Sequence, residues 1–586
     1  MLKLPHLSIF LPANKPPALE LSIENCTIRR KVFDNEQATL VILGTPILGE
    51  KIALRPIWEE TKNQGLTADF LRRINGEFLL AHLNKATGTL QISTDRFTSI
   101  PFFHLSNATG FFGSVYYSNV WEHLKKTNRV NINESAVFEF LWLQRLLGTK
   151  TYDPYSSFIL AATTLTYKKG KTTTSQYWVP SFDKTTDSLR ESAEHLSESL
   201  SRSIARKISD NPGKNGMFLS GGIDSRTVLG SFENPPVSFT IGVTENNEVN
   251  IARTVANNVR SPHRFIQIKP DPFSAHLDAM TILGGGMHAF DHAIFFGLRD
   301  QVSHDADVIF HGHGIDYMFQ GMYLLSRNIN VLNRRTSFKR PEVIGDDFVN
   351  TYLNRIGHRL KEINLIDYVI HNRRTALLES IRNSVEEIQK LGSQFCETPD
   401  DHWEYMLIHG LARHYPFTNL TSIGTVAEQR VVAFDNDIFD LYLSLPKNHR
   451  LDGKIVKNAL KLMNPKLAAI PTANTNQRPN QSALQKDVGR IIRFINRKTP
   501  FNKQQQILTT AEERTWPDRG RMFVHQPNLK KAANALRNSD ALESLGFINM
   551  NRLNKDIPDW LESPKDGSGA FLSFLVTIDR FIKFYN

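Results

Sequence analysis

The feature that most constrains the fold is the stretch GMFLSGGIDSRTVLG, from Gly216 to Gly230. An apolar run passes into Ser220-Gly221-Gly222 and then into residues that suit the first turn of a helix. Paired glycines let the backbone turn sharply and present its N–H groups, and a following helix adds partial positive charge at the same point. The stretch therefore predicts a strand, a loop and a helix, with a phosphate group bound at the loop.

This loop differs from the P-loop, because no Gly-Lys-Ser or Gly-Lys-Thr follows the glycines. Asp224 falls close to the predicted phosphate position, where a carboxylate alone would repel phosphate. We therefore expect Mg²⁺ to bridge the carboxylate and the phosphate oxygens. The alternative is a glycine turn with an N-cap serine and no ligand, which is common for an isolated Gly-Gly pair.

Short apolar strands and helical stretches alternate after the loop. The segments PVSFTIGV, HRFIQIK and ADVIFHGHG predict strands, and EVNIARTVANNV predicts a helix. This alternation is typical of a mainly parallel sheet with helices on both faces. From about residue 340 to the end, the pattern predicts a mostly helical chain.

The residues before about 180 have the patterning of β-structure. GEFLLAHLNKATGTLQISTD alternates apolar and polar residues on both sides of the turn at Asn84–Gly88, and KKGKTTTSQYWVP suggests another strand pair. Helical periodicity begins at Ser188 and continues to Ile208. Since 586 residues exceed one ordinary core, we predict two domains, at 1–183 and 184–586.

Composition restricts the class of protein. Apolar residues make up 40% and charged residues 22%, as in soluble globular proteins, and no apolar run reaches the roughly 18 residues that a membrane helix needs. The net charge of +11 comes from scattered basic residues, which gives little support to nucleic-acid binding. The two cysteines, Cys26 and Cys396, are far apart, which favours a reducing compartment. We predict a cytoplasmic protein without membrane or nucleic-acid partners.

Several motifs between about residues 216 and 465 resemble, in order, those of the asparagine synthetase-like branch of the N-type ATP pyrophosphatases. They are SGGIDS, VSFTIGV, EVNIARTVANNV with Glu248, HGHGIDYMFQGM, AEQRVVAFDNDIFDLYLSLP and LDGKIVKNALKLM. The resemblance implies an α/β protein. A β-rich, Ntn-hydrolase-like N-terminal domain would precede a parallel-sheet ATP pyrophosphatase domain with a helical C-terminal region.

The resemblance also implies a role for each site residue. ATP would be bound by Phe218, Ser220, Gly221, Gly222, Asp224, Ser225, Ile241 and Gly312. Mg²⁺ would be held by Asp224 and Asp316, and Lys454 or Lys457 would stabilise the leaving pyrophosphate. Adenylation develops charge on phosphate oxygens, so fixed N–H groups, metal and lysine suit this chemistry.

The second loop departs from the pattern of asparagine-forming enzymes. His313 stands where they have glutamate, and Tyr317 where they have a second acid, which makes the loop most similar in type to β-lactam synthetases and lasso-peptide cyclases. His313 either deprotonates an attacking amine or shapes the loop and contacts phosphate. As a base with an ordinary pKa it would lose activity below about pH 6.5. His414 falls near the position of a partner acid, but we favour a core histidine there. Arg478 is the only cation where a further lysine is usual.

The N-terminal part resembles a class II glutamine amidotransferase domain, on the segment INGEFLLAHLNKATGTLQISTDRFTSIPFFH. Active members use an N-terminal cysteine as nucleophile, with its own amine as base. Here the second residue is Leu2. Asn75 and Gly76 remain from the oxyanion region, although they serve a turn equally well. We expect no glutamine hydrolysis by this degenerate domain.

The expected activity is that of an ATP-dependent, AMP-forming ligase that forms carbon–nitrogen bonds. A substrate carboxylate would be adenylated with release of pyrophosphate, and an amine would displace AMP, as in a cyclase or amine ligase of a biosynthetic pathway. One alternative is amidation of an amino acid or sugar acid with ammonia, and another is a non-catalytic nucleotide-binding scaffold. The expected partner is a small-molecule or peptide carboxylate, and a pathway partner protein is also compatible with this function.

Overall fold

The computed structural model describes residues 4–13, 15–127, 131–208, 213–331, 334–345, 347–482, 484–485, 487–489 and 519–585. Leu2 lies outside these ranges. Among the helices described, none has the length and apolar character that a membrane span requires.

The strands are β1 (His6–Pro12), β2 (Glu20–Glu24), β3 (Arg30–Asp34), β4 (Ala38–Leu48), β5 (Lys51–Ile52), β6 (Ile74–Asn84), β7 (Thr89–Thr94), β8 (Phe103–Asn107), β9 (Gly110–Ser114), β10 (Ser157–Phe158), β11 (Thr163–Lys168), β12 (Lys171–Gln176), β13 (Asn215–Phe218), β14 (Val237–Gly242), β15 (His263–Gln267), β16 (Val308–His311), β17 (Ser326–Val331), β18 (Arg334–Pro341) and β19 (Glu428–Val431).

The α-helices are α1 (Leu54–Gln64), α2 (Ala68–Arg73), α3 (Tyr117–Lys126), α4 (Glu134–Leu143), α5 (Leu189–Ile208), α6 (Ile223–Gly230), α7 (Asn247–Asn258), α8 (Leu277–Leu283), α9 (Arg299–Val302), α10 (Ile315–Phe319), α11 (Phe348–Ile356), α12 (Arg374–Gly392), α13 (Pro399–Ile408), α14 (Phe417–Ile423), α15 (Asn436–Ser444), α16 (Lys447–Arg450), α17 (Lys454–Met463), α18 (Pro465–Ala469), α19 (Arg519–His525), α20 (Pro527–Ala535), α21 (Asp540–Glu543), α22 (Met550–Glu562) and α23 (Ser568–Tyr585).

The first part of the chain forms two antiparallel sheets, as the patterning predicted. Their strand orders are β10-β8-β9-β1-β2 and β12-β11-β7-β6-β4-β3, with β5 paired to β4. The predicted hairpins are present as β6–β7 and β11–β12. Because side chains alternate along a strand, Leu79 and Leu83 of β6 share a core with Leu7 of β1, whereas Leu80 packs in a second core with Trp58 of α1.

The helix predicted at residues 188–208 is α5, which begins one residue later. The Ser188 hydroxyl accepts a hydrogen bond from the Glu191 N–H, and the Glu191 carboxylate accepts one from the Ser188 N–H. This reciprocal capping box explains the start of the helix. Leu196, Leu200 and Ile204 form its buried stripe.

The β-rich part and the later part are joined by buried contacts. The Phe97 and Phe434 rings stack with centroids 4.8 Å apart. Lys207 of α5 is fully buried, and its ammonium lies 3.1 Å from the Glu77 carboxylate and donates to the Phe434 carbonyl. Residues 177–188 lie between β12 and α5 without a helix or strand. The division at 183/184 falls inside this connection and stays a prediction.

The later part contains the predicted parallel sheet, with strand order β15-β14-β13-β16-β19. From β13 the chain runs outward through β14 to β15 and then returns to β16 on the other side of β13. The strand order therefore reverses between β13 and β16, and the loops that follow these two strands leave side by side. Open α/β sheets bind their ligands at such a point. The chain after residue 340 is mostly helical, as predicted.

Candidate active site

A cavity of about 440 Å³ lies at the carboxyl ends of the parallel strands. It is lined by loops after β13 and β16, by the end of β14 and by residues from distant helical segments. Eight sequence-predicted residues contribute to its wall: Phe218, Ser220, Asp224, Ser225, Ile241, Gly312, His313 and Asp316. The wall also contains Glu248, His292, Phe295, His311, Arg359 and Tyr415, which the sequence did not assign to a ligand.

The loop after β13 is ordered by its own hydroxyl groups. The Ser225 hydroxyl accepts a hydrogen bond from the Ser220 N–H at 3.1 Å, and the two serine hydroxyls are 3.0 Å apart. The Gly222 N–H donates to the Ser220 hydroxyl, and the Gly221 N–H donates to the Glu248 carboxylate at 3.2 Å. The loop therefore already presents an N–H group to an anionic oxygen, as a phosphate-binding loop requires.

Gly221 and Gly222 do not line the cavity but shape this loop. A Cβ atom on Gly221 would lie 2.5 Å from the Cβ of Ala473, so no larger residue fits without movement. The Ala473 N–H also donates to the Gly221 carbonyl. The segment around Ala473 packs closely on the loop, and this explains why position 221 is a glycine.

Arg226 connects the loop to residues 467–471, just before Ala473, by hydrogen bonds. The sequence did not single out this residue. This fully buried guanidinium donates to five backbone carbonyls, those of Gly221, Gly222, Leu467, Ile470 and Pro471. Because burial disfavours the charged form, it lowers the pKa of Arg226 to about 10. The available signal was an arginine two residues before the apolar pair Val228-Leu229 in α6, where a buried guanidinium has to find polar partners.

Two carboxylates face the cavity from the two loops. The Gln320 amide donates to the Asp224 carboxylate at 2.6 Å. Burial, together with the charge of Asp316, raises the pKa of Asp224, and burial raises that of Asp316 to about 6. A cation would relieve this repulsion. Mg²⁺ usually takes one or two carboxylates together with substrate phosphates, so the Asp224–Asp316 pair fits this ion. In the described ranges, no three His, Cys, Asp or Glu side chains converge as a metal site made by protein groups alone.

The cavity has an apolar face that suits a flat ring. The Phe218 and Phe295 rings lie with centroids 4.3 Å apart, and both side chains are buried together with Phe239 and Ile241. Phe218 and Phe239 are opposite one another in the β13–β14 register. The family resemblance gave Phe218 and Ile241, whereas Phe295 comes from an irregular stretch without a sequence signal.

Buried imidazoles occupy the side of the cavity formed by the second loop. His313 is buried, its backbone N–H donates to Nδ1 of His311, and its Nε2 atom has no hydrogen-bond partner among the described residues. Burial and the nearby His311 lower the pKa of His313 to about 3, so that it is neutral near pH 7. With this pKa, His313 of the ligand-free protein stays neutral at pH 6.5 and below. The fall in activity expected below about pH 6.5 would therefore require a bound ligand that raises the pKa of His313.

His414 lies next to this loop but does not line the cavity. Its ring centroid is 5.0 Å from that of Tyr317, and in the described part of the chain neither of its ring nitrogens has a hydrogen-bond partner. Burial lowers its pKa well below the ordinary value. This position agrees with the interpretation of His414 as a core histidine.

The two predicted lysines are not among the residues that line the cavity. Lys454 is exposed at the start of α17. The Lys457 ammonium lies 3.2 Å from the carboxylate of Asp452 and donates to its backbone carbonyl. Arg478 is also exposed and outside the cavity. A role for either lysine with pyrophosphate stays a prediction.

The position expected to form an oxyanion hole in the N-terminal part has a structural role. The Asn75 side-chain oxygen accepts hydrogen bonds from the N–H groups of Asn436 at 2.7 Å and Gly76 at 2.6 Å. The Asn436 side chain in turn donates to the Ile74 carbonyl. Asn75 therefore connects the β-rich part to the start of α15.

Comparison with known proteins finds a family that the later part of the chain resembles. Residues 195–477 match the family model described as asparagine synthase. No match is found among curated proteins.

Solved structures with a detectable similarity include an NH3-dependent NAD synthetase from Campylobacter jejuni, at 13% identity, covering 34% of this chain and 95% of that chain, with a TM-score of 0.18. The NMN synthetase of Francisella tularensis is 14% identical over 39% of this chain and 96% of that chain, with a TM-score of 0.19. For the glutamine phosphoribosylpyrophosphate amidotransferase of B. subtilis the values are 7% identity, 45% and 63% coverage and a TM-score of 0.18, so the chain spans less than two thirds of that enzyme.

The family match contains both loops of the cavity, the two carboxylates and the segment that packs on Gly221. This part of the chain, residues 195–477, is therefore similar to the asparagine synthase family.

Proposed function

We propose that the protein is an ATP-dependent, AMP-forming amide-bond synthetase. The observation that carries this proposal is the meeting, in one cavity, of the Ser220–Ser225 loop, the carboxylates of Asp224 and Asp316, and the unpartnered Nε2 atom of His313. The asparagine synthase family match supports an ATP-dependent amidation or ligase role.

We propose one orientation for ATP in this cavity. The apolar face at Phe218, Phe295 and Ile241 takes the adenine, and the loop after β13 takes the β- and γ-phosphates. Asp224 and Asp316 would hold Mg²⁺, which would supply neutralisation of the phosphate charge that develops as pyrophosphate leaves. In this orientation the α-phosphate faces the second loop, where a substrate carboxylate attacks it.

His313 acts in the second half of the reaction. Its neutral imidazole has an unpartnered nitrogen at the cavity, as a proton acceptor for the attacking amine needs. The lowered pKa makes it a weak base in the empty protein. Bound phosphates favour the imidazolium form and so raise its basicity when nucleotide is present.

The nitrogen nucleophile is an amine carried by a substrate. The Gly76 N–H, a donor that an oxyanion hole would use, instead donates to the Asn75 side-chain oxygen, and this supports the absence of a working glutaminase. Incubation with glutamine should give no glutamate above background. Sustained glutamate release would instead favour ammonia supplied from glutamine.

Pyrophosphate release from ATP, in the presence of a panel of carboxylic acids and amines, tests the proposal. Asp224→Ala and Asp316→Ala should each lower Mg²⁺-dependent release by about 10²–10³, whereas Ser225→Ala should have a smaller effect because a hydroxyl contributes less than a metal-binding charge. Near-normal release by both aspartate variants would contradict the assignment. Tight ATP binding without pyrophosphate release from any acid would favour a nucleotide-binding scaffold.

A further inference from the structure

The outer edge of β12 carries unpaired backbone groups. β12 lies at the edge of its antiparallel sheet, and among the described strands it pairs only with β11. The two strands are joined by a two-residue turn at Lys169 and Gly170, whose φ values are 48° and 80°. In such a hairpin the residues that flank the turn exchange two hydrogen bonds, and bonded and non-bonded pairs then alternate along the strands. Thr172, Thr174 and Gln176 therefore direct their N–H and C=O groups away from β11.

The residue that follows β12 agrees with this alternation. The Tyr177 N–H donates to the Ala162 carbonyl at 2.9 Å, as expected if the odd-numbered residues face β11. All six residues of β12 are exposed. In the described part of the chain, no group forms a hydrogen bond with the outward N–H and C=O groups of β12. An exposed edge of this kind accepts an extended peptide as a further strand.

The sequence of β12 does not protect this edge. β2 and β3, which are also edge strands, carry charged residues at both of their ends. Charges on an edge strand discourage pairing with another chain. In β12, Lys171 is followed by five uncharged residues, TTTSQ, and the pairing with β11 contains no bulge. Of these three edges, β12 is therefore the one that best suits a strand of another polypeptide.

A cavity of about 520 Å³ lies beside the same edge. Thr172, Thr174 and Gln176 line it, together with residues of α12, α13 and α15. Its apolar wall includes Phe158, Leu160, Trp178, Leu391, Ile408 and Phe439. No Asp or Glu side chain of the described residues contributes to the wall. The cavity thus suits a large apolar side chain of a strand paired with β12.

Unpaired positive charge lies at the turn end of β12. Lys168, Lys169 and Lys171 are exposed, and within the described ranges none of them has an ion-pair partner. Carboxylates of an incoming strand would complement this charge. A second copy of β12 would not, because residues 168–178 contain neither Asp nor Glu. We propose that β12 and its cavity bind an extended acidic segment of a partner protein, with a large apolar side chain of that segment in the cavity.

Selection from a phage library of random dodecapeptides, with the full-length protein as target, tests this docking site. Enriched peptides should combine Asp or Glu with a large apolar residue and should lack internal proline, which cannot pair as a central strand. They should bind equally with and without α,β-methylene-ATP, because this cavity and the active-site cavity share no lining residue. Enrichment of peptides without carboxylates, or displacement of the peptides by the nucleotide, would overturn the proposal.

Backbone pairing is measured by fluorescence anisotropy with a synthetic, labelled copy of an enriched peptide. Thr174→Pro removes one outward N–H and should weaken binding by about twofold to tenfold, the range of one net hydrogen bond. Thr174→Val is the matched control, since it keeps the N–H and should bind as the wild type does. Circular dichroism shows whether both variants fold.

N-methylated peptides test the same pairing without changing the protein. Because alternate residues of a strand face opposite edges, methylation of one alternate set of peptide N–H groups should abolish binding, whereas methylation of the other set should preserve it. Equal effects of the two sets would overturn strand pairing.

The charge contribution has its own control. Lys168→Glu and Lys171→Glu should each weaken peptide binding by about twofold to fivefold, and higher salt should weaken binding to the wild type. Lys531→Glu should have no effect, because Lys531 is an exposed lysine on α20 that does not line the cavity. An equal loss in all three variants would overturn the acidic partner. A dimer in light scattering that Thr174→Pro dissociates would show that a second copy occupies the edge, and would also overturn the proposal.

Discussion

Replacing Asp316 by asparagine should stabilise the metal-free protein at alkaline pH. Burial raises the pKa of this carboxyl from the ordinary 3.8 to about 6, and its charge also raises the pKa of Asp224. At about 1.4 kcal/mol per pH unit, this difference corresponds to about 3 kcal/mol. Because the folded protein binds the proton more tightly than the unfolded chain, the destabilisation is absent below about pH 4 and complete above about pH 6.

Urea denaturation in EDTA at pH 4, 6 and 8 measures this effect. The free energy of unfolding of the Asp316→Asn variant should match that of the wild type at pH 4 and exceed it by up to about 3 kcal/mol at pH 8. Adding Mg²⁺ at pH 8 should stabilise the wild type more than the variant, because the metal neutralises the same charges. A variant that is no more stable than the wild type at pH 8 in EDTA would show that the Asp316 charge does not destabilise the folded protein.

The matched control is Asp153→Asn. Asp153 is also buried, but its carboxylate accepts hydrogen bonds from the Tyr117 hydroxyl and from the N–H groups of Tyr155 and Ser156. The substitution weakens these hydrogen bonds, so the free energy of unfolding of this variant should fall by about 1–3 kcal/mol at pH 8. Stabilisation by both substitutions would show only that asparagine is generally preferred.

Three further substitutions test the candidate site. Arg226→Ala should lower the free energy of unfolding by about 3 kcal/mol, measured by urea denaturation, because five buried carbonyls lose their donor; an unchanged value would contradict the locking role. Gly221→Ala should abolish pyrophosphate release by displacing the Ala473 segment, which would lie 2.5 Å from the new Cβ, and Ala473→Gly in the same chain should restore part of the release. His313→Ala should retain ATP–pyrophosphate exchange and lose amide formation by about 10²–10⁴, whereas equal loss in both assays would indicate a nucleotide contact. The pKa of His313, which burial lowers to about 3, should rise when α,β-methylene-ATP binds, as NMR titration would show.

The parts of the fold that follow local patterning could be predicted from the sequence. The loop after β13 could be predicted from the run into Ser220-Gly221-Gly222. Glycines and a helix N-terminus affect the backbone conformation over only a few residues, so their effect can be read from the local sequence. The hairpin at Asn84 and the helix that starts at Leu189 follow for the same reason, from alternation and from helical periodicity. Parallel pairing then follows from the order of strands and helices.

The remainder of the site depends on long-range packing that local patterns do not encode. Arg359 comes from a single 3₁₀ turn and Tyr415 from an irregular stretch, and neither segment carries a pattern that predicts a place beside β13. For Lys457, by contrast, the motif resemblance suggested a residue of the site, but the residue does not line the cavity. Asp452 and Gly453 adopt left-handed conformations before α17, and the Lys457 ammonium pairs with Asp452.

In the proposed reaction, ATP is cleaved between its α- and β-phosphates by a substrate carboxylate. The most direct test uses a carboxylic acid that supports turnover, labelled with ¹⁸O in its carboxylate, with mass analysis of the nucleotide product. For this cleavage we expect AMP that carries one ¹⁸O atom, together with pyrophosphate. ADP with ¹⁸O in inorganic phosphate would contradict it.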